Sequence, residues 1–201
     1  MNIYYIGGSP CCGKSTVAEK MAKTFGFYYF KVDDLLNEYM IRGTAAGNPF
    51  LAKMAAMSPE ETWMRNPKIQ KEEELEYYRQ VYGFVCRDLE RIQTADGIIT
   101  EGAAYLPELM KQSGVDCRHY LCMTPTRDFQ VLHYRERDWI PYILEGCSDR
   151  EKAFQNWMER DALFAEDVKR SAGELGYRTL LIDGSAGEDD IFREVCRIFG
   201  L

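Results

Sequence analysis

The feature that most constrains this chain is a short segment near its start, residues 8–15 (GSPCCGKS). It fits the pattern G-x-x-x-x-G-K-[ST], follows the apolar stretch 2–6, and precedes a segment with helical periodicity. Glycines allow the backbone to curl so that successive N–H groups point at one anion, and the following helix N-terminus adds partial positive charge. The sequence therefore predicts a strand, a phosphate-binding loop and a helix, in that order.

Individual positions of this loop have predicted contacts. Lys14 is expected to reach the terminal phosphates of a nucleotide, and the Ser15 hydroxyl can ligate Mg²⁺. Cys11 and Cys12 leave two interpretations open, a redox role because a helix N-terminus lowers a thiol pKa, or small residues that fill the loop. The predicted nucleotide-binding residues of this segment are Gly8, Cys11, Cys12, Gly13, Lys14, Ser15 and Thr16.

Length and composition limit the other possibilities. The chain has 201 residues, 46% of them hydrophobic, which predicts one domain over residues 1–201 with a real core. The net charge of −7 and the absence of a basic stripe argue against a nucleic-acid partner. No apolar run is long enough for a membrane span, and the opening MNIYYIGG does not look like a secretion signal. Seven cysteines without a C-x-x-C pair predict reduced thiols, so we expect a cytoplasmic protein.

Short apolar runs alternate with helical patterns along the chain, which predicts an α/β fold with a mainly parallel sheet and helices on both faces. Two long helices are predicted at about 69–93 and 149–175, because apolar residues recur there at steps of three and four. Residues 43–67 are expected to be irregular, with short helices as the alternative, and residues 139–148 to form a loop. The predicted strands are residues 2–6, 27–32, 97–101, 117–123 and 178–183.

Carboxylates stand at the predicted ends of these strands. Ligands in open parallel sheets bind beyond the carboxyl ends of the strands, so these side chains are site candidates. Glu101 ends the third strand and is expected to act on Mg²⁺ through water. Asp33 follows the second strand, where it could serve chemistry or only cap a helix N-terminus. Asp34 is an alternative to it, and Asp183 ends the fifth strand.

The loop GGSPCCGKST, the segment VDDLL, a Glu-bearing third strand and an arginine-rich segment before the fifth strand resemble the small P-loop kinases of the nucleoside-monophosphate-kinase-like group. That group includes shikimate kinase, gluconate kinase and chloramphenicol phosphotransferase. The resemblance implies a three-layer fold with strand order 2-3-1-4-5, a lid at about 135–148 and an acceptor-binding region at about 34–95. It also implies transfer of the γ-phosphate of ATP, with Mg²⁺, to a small-molecule acceptor. A GTPase or another non-kinase ATPase is the rival class, although the guanine-reading N-K-x-D motif is absent.

The resemblance also implies residue roles. In chloramphenicol phosphotransferase and its relatives a V-D-x-L segment carries the base for the acceptor hydroxyl, and this pattern falls on Asp33. Adenylate kinases have a phosphate-gripping arginine three residues later, where this chain has Leu36, so a hydroxyl acceptor is predicted. A nucleoside monophosphate acceptor remains the alternative, and Arg42 or Arg65 could reach an acidic group on the substrate. Tyr105 is a further candidate for acceptor contact.

Arginines after the fourth strand are predicted to cover the phosphates, as in related kinases. Arg127 is assigned to the nucleotide and Arg135 to catalysis, with Arg137 as a further lid candidate. Arg160 lies on an otherwise apolar helix face, so it either pairs with an acid or points into the cleft. We predict the cleft and a catalytic role for Arg160, because buried charges cluster at functional sites. The chain at Gly184 and Ser185 is predicted to lie beside the adenine of the bound nucleotide. The sequence does not indicate an oligomeric state.

Overall fold

The computed structural model describes residues 2–94 and 96–201 and contains one five-stranded parallel sheet. Its strand order is β2-β3-β1-β4-β5, which confirms the predicted order and fold class. Residues of β3 and β4 are buried throughout, whereas β2 and β5 lie at the sheet edges. The strands are β1 (Ile3–Gly8), β2 (Tyr28–Lys31), β3 (Ile98–Glu101), β4 (Tyr120–Pro125) and β5 (Arg178–Ile182).

Helices cover both faces of the sheet. On one face, α1 and α10 pack over Ile6, Ile99 and Leu121, and on the other, α5 and α9 pack over Ile98 and Tyr120. This division follows from the strand pleat, because successive side chains point to opposite faces. The helices are α1 (Lys14–Phe25), α2 (Leu36–Ala45), α3 (Pro49–Ala56), α4 (Pro59–Trp63), α5 (Pro67–Glu90), α6 (Pro107–Gln112), α7 (Arg127–Arg135), α8 (Ile140–Ile143), α9 (Arg150–Glu174) and α10 (Glu188–Phe199).

Of the two alternatives for residues 43–67, irregular chain or short helices, the structure shows short helices, because α3 and α4 lie there. The Asn48 side chain accepts hydrogen bonds from the N–H groups of Phe50 and Leu51, at 3.0 and 3.1 Å, and thereby caps α3. Ser58 and Glu61 form a reciprocal capping box at the start of α4. Each helix also has proline in its first turn, where the missing N–H costs nothing. These local groups satisfy the helix ends and allow short helices in a polar, Met-rich segment.

Two further boundaries differ from the prediction. The stretch 139–148 contains the short helix α8 and is therefore not a plain loop. The fourth strand starts at Tyr120, because Asp116 accepts a hydrogen bond from the N–H of Arg118 at 2.8 Å and holds the preceding residues in a turn.

Within the residues that the structure describes, no helix is both long enough and apolar enough to cross a membrane.

Candidate active site

The phosphate-binding loop joins β1 to α1 in a conformation that glycines make possible. Gly8 has a φ of 108°, and a Cβ there would lie 1.9 Å from the Met123 carbonyl oxygen. Gly13, which directly precedes α1, has a left-handed φ of 76°. Cys11 also has a positive φ of 63° and lines the cavity above the loop. The backbone between β1 and α1 therefore curls over the N-terminus of α1, where an anion is stabilised.

Lys14 is the buried cation of this loop. Its Nζ donates a hydrogen bond to the Ser9 carbonyl oxygen at 2.7 Å. Burial acts against the charged form, but the neighbouring Cys12, Asp33 and Glu101 raise the pKa of Lys14. The side chain therefore stays protonated at neutral pH and supplies a fixed positive charge beside the loop.

Ser15 and Glu101 meet at the start of α1 and the end of β3. Ser15 Oγ donates to Glu101 Oε1 at 3.0 Å, and the hydroxyl of Tyr29 donates to the same oxygen at 2.9 Å. Burial raises the pKa of Glu101, with Lys14 acting against this shift. The other oxygen, Oε2, is buried without a hydrogen-bond partner among the described residues. A hydroxyl beside an incompletely satisfied carboxylate fits Mg²⁺, which prefers oxygen ligands and retains several waters.

Asp33 faces the same cavity, which has a volume of about 610 Å³. The prediction that its position is a helix N-cap was wrong, because Asp33 begins a single 3₁₀ turn over Asp33–Leu35 and caps no helix with its side chain. Asp33 is exposed and forms no ion pair or hydrogen bond with the part of the chain that is described. Asp34, in contrast, pairs with Lys31 at 3.1 Å. The structure thus distinguishes the two adjacent carboxylates, and the free one is Asp33.

The arginines that were predicted to cover the phosphates differ in their partners. Arg137 lines the cavity above the loop, and its guanidinium lies over the rings of Tyr134 and Trp139 at 4.6 and 5.4 Å. Arg135, the predicted catalytic residue, instead pairs with Glu151 at 2.8 Å. Arg137 occupies the place expected for Arg135 because α7 ends at Arg135 and the chain then turns toward the loop.

Arg127 does not line the cavity above the loop. Its guanidinium instead pairs with Glu159 of α9 at 2.5 Å. The prediction that Arg127 contacts the nucleotide therefore has no geometric support in this conformation.

Arg160 belongs to a buried charged cluster. Its guanidinium pairs with Asp161 at 2.6 Å and with Glu74 at 3.0 Å, and it lies over the Trp63 ring at 5.0 Å. Of the two alternatives for a charge on this apolar face, the structure shows the paired one and not an arginine open to the cleft. The hydroxyl of Tyr134 donates to Asp161 at 2.9 Å and links the cluster to α7.

In this cluster two carboxylates share one guanidinium, and this arrangement affects the pKa of Glu74. Burial raises the pKa of Glu74 to about 7, Arg160 acts against this shift, and Asp161 and Asp33 reinforce it. Tyr78, which donates to Glu74 at 3.1 Å, favours the charged form.

We expect the contribution of Glu74 to the free energy of unfolding to fall as the pH rises from about 4.5 to about 7, because over this range the unfolded chain has released the Glu74 proton and the folded protein still holds it. Below this window Glu74 is protonated in both states, so its unfavourable burial as a charge is absent. Glu74→Gln should therefore be more stable relative to wild type at pH 8 than at pH 5. Urea unfolding at the two pH values measures this difference, with Glu72→Gln on the exposed side of α5 as a matched control. Equal differences at both pH values would contradict the expectation.

A second cavity, of about 280 Å³, adjoins the loop on the side of α10. Gly184 lines it, as predicted for the segment after β5, and a Cβ there would lie 2.9 Å from the Phe129 ring. Ser185 does not line it, because its N–H and Oγ both donate to Asp183. Phe129 and His133, whose ring centroids are 4.2 Å apart, form one wall. Their spacing of four residues on α7 was visible in the sequence but did not distinguish them from core residues.

The candidates for acceptor contact are mostly occupied elsewhere. Tyr105 is buried in the core, where its hydroxyl and that of Thr100 are hydrogen-bonded at 2.6 Å. Arg42 pairs with Asp88 at 2.8 Å, and Arg65 pairs with Glu73 at 2.6 Å. These two arginines are therefore neutralised in the conformation described.

Comparisons with known proteins show the fold. No protein-family model matches this chain, and no curated protein matches it. Among solved structures, the chain is similar to TT1252 from Thermus thermophilus, with a TM-score of 0.53 and 16% identity over 99% of this chain and 96% of that one. A gluconokinase from Sinorhizobium meliloti 1021 has a TM-score of 0.48 and 14% identity over 99% of this chain and 91% of that one.

The strand order and the loop between β1 and α1 define the fold. The sheet order 2-3-1-4-5 with helices on both faces, together with the curled GSPCCGKS loop, gives this chain the fold of the small P-loop kinases. At such low identities the similarity concerns the fold, so activity and substrate have to be argued from the site itself.

Proposed function

We propose that this protein is an ATP-dependent phosphotransferase that moves the γ-phosphate of ATP to a hydroxyl group of a small-molecule acceptor. One observation carries the proposal: the exposed carboxylate of Asp33 lines the same cavity as Lys14 and Ser15. A base for an acceptor hydroxyl and the groups that hold phosphates thus face one space.

The two cavities would together hold one nucleotide in a continuous path. Cys12, Gly13 and Thr16 line both of them. The phosphates would lie over the N-terminus of α1, and the base would lie against Phe129 and His133. This arrangement supports a bound purine nucleotide, because an aromatic wall stacks on a flat base while the loop N–H groups bind phosphate.

Mg²⁺ would be held by the Ser15 hydroxyl, with Glu101 accepting a hydrogen bond from a metal-bound water. When bound, it would neutralise charge on the transferring phosphates. Lys14 would stabilise the same oxygens from the loop side. Arg137 can approach them from the lid, because its guanidinium already lines the cavity.

Asp33 would orient the acceptor hydroxyl and take its proton as the phosphoryl group arrives. A phosphate acceptor needs cations and not a base. Leu36 stands one turn after Asp33, and Arg42 and Arg65 are paired with acids. The free Asp33 carboxylate, together with the pairing of these two arginines, favours a hydroxyl acceptor over a nucleoside monophosphate.

An ADP-release screen of the purified protein against hydroxyl-bearing metabolites and nucleoside monophosphates tests the proposed reaction. We expect ADP release that depends on Mg²⁺ and on a hydroxyl compound. Fast turnover only with a nucleoside monophosphate would place the protein among nucleotide kinases. Release that no acceptor stimulates would instead favour a P-loop ATPase.

We propose that residues 135–148 form a lid that closes over the nucleotide. Trp139 and Arg137 line the phosphate cavity, while Tyr142 is 74% exposed, so part of the segment touches the site and part is open to solvent. Limited trypsin cleavage after Arg137 should slow when a non-hydrolysable ATP analogue with Mg²⁺ is added.

Cleavage after Arg118 is the internal control for this lid experiment. Arg118 is exposed in the turn before β4, at the end of the sheet away from the loop, so its cleavage rate should not change. Equal slowing at both positions would indicate general stabilisation, and unchanged cleavage at Arg137 would contradict a lid.

A further inference from the structure

Tyr29 on the edge strand β2 makes a direct contact with the candidate metal site. Its hydroxyl donates to Glu101 Oε1 at 2.9 Å, and Ser15 Oγ donates to the same oxygen at 3.0 Å. Both donors therefore hold one oxygen of a fully buried carboxylate, while Oε2 has no partner among the described residues.

The register of the sheet explains how Tyr29 reaches this carboxylate. Tyr29 pairs with Ile99, and Lys31 pairs with Glu101. The Tyr29 ring therefore lies on the same face of the sheet as Glu101, level with the residue two positions before it. The ring packs against the cluster beneath α1 that includes Val17 and Ile99. Packing fixes the ring, and the fixed ring aims its hydroxyl along the strand at Glu101.

We propose that Tyr29 is a positioning residue for the divalent cation. By holding Oε1 together with Ser15, it fixes the rotation of the Glu101 carboxylate and leaves Oε2 as the oxygen free to accept from a metal-bound water. This inference rests on the proposed function, because it assumes that Ser15 and Glu101 hold Mg²⁺ with a nucleotide. Groups that orient metal ligands in this way commonly affect metal affinity when removed.

The Tyr29→Phe variant keeps the ring and removes the hydrogen bond. We expect the affinity of the protein–ADP complex for Mn²⁺, measured by electron paramagnetic resonance, to fall by about tenfold. ADP affinity without metal, measured by calorimetry in EDTA, should stay within about twofold of wild type, because metal-free binding uses the loop N–H groups. A merely structural role of Tyr29 would change both affinities together or neither.

Tyr28→Phe is the matched control. Tyr28 is the adjacent residue on β2, is 48% exposed, and points to the opposite face. It should bind Mn²⁺ and ADP as wild type does. Thermal unfolding of both variants without ligand shows whether the fold is retained.

A double variant tests whether Tyr29 acts through Glu101. In a Glu101→Gln background, adding Tyr29→Phe should change Mn²⁺ affinity by less than about twofold, because the group that it positions is already altered. Wild-type Mn²⁺ affinity in Tyr29→Phe, or an undiminished further loss in the double variant, would overturn the inference. If wild type binds no ADP with or without metal, the proposed function fails, and this inference fails with it.

Discussion

We expect Lys14→Ala to lower the rate of ATP-dependent phosphoryl transfer by on the order of 10³-fold or more. Such a loss corresponds to roughly 4 kcal/mol of transition-state stabilisation. The physical reason is that Lys14 is a buried cation, held at the loop by Ser9 and kept protonated by Asp33 and Glu101. A steady-state assay of ADP release with the acceptor found in the screen measures the loss.

Two further variants separate lost chemistry from a lost fold. Removing Lys14 leaves the buried Glu101 carboxylate without its neighbouring cation, so unfolding must be measured alongside the rate. Lys14→Met retains the side-chain stem and should lose activity to a similar extent. Lys23→Ala, on an exposed face of the same helix, should retain wild-type activity. Near wild-type turnover in a folded Lys14→Met would contradict a role in transfer.

The second large effect is expected at Asp33. Asp33→Asn should lower kcat by about 10²–10⁴-fold, the usual size of a general-base contribution. ATP affinity should change little, because phosphate binding relies on the loop and not on this carboxylate. The asparagine preserves the shape of the side chain, and Asp33 makes no cap or ion pair in the described residues whose loss would disturb the fold.

Asp34→Asn provides the matched comparison for Asp33. Asp34 is the next residue and carries the same charge, but it is paired with Lys31. Its replacement should reduce kcat much less. Full turnover of Asp33→Asn on the true acceptor, or rapid phosphorylation of a nucleoside monophosphate by wild type, would overturn the base assignment.

The sequence predicted the sheet and the loop because both depend on local patterns. The GSPCCGKS spacing requires a strand before it and a helix after it, and apolar runs of strand length fixed the five parallel strands. Glu101 was identifiable because it ends a buried strand next to the loop-bearing strand. Its hydrogen bond with Ser15 follows from the parallel pairing of β1 with β3.

Side-chain partners brought together from distant elements could not be predicted. Nothing in the local sequence of α9 shows that Glu74 of α5 lies beside Arg160. The sequence alone therefore could not exclude that Arg160 points into the active-site cleft. Arg135 and Arg137 have the same charge, and only the turn after α7 decides which one faces the loop. Tyr29 looked like an ordinary strand residue, because its contact with Glu101 depends on the register of two strands.

The most direct measurement is calorimetric titration of ATP into the wild-type protein, with Mg²⁺ and without it. If residues 8–15 hold the phosphates of a metal–nucleotide complex, binding will be saturable and tighter with Mg²⁺, unchanged in Lys23→Ala and strongly weakened in Lys14→Met. Absence of ATP and ADP binding by the folded wild-type protein in the presence of Mg²⁺ would contradict the proposed function.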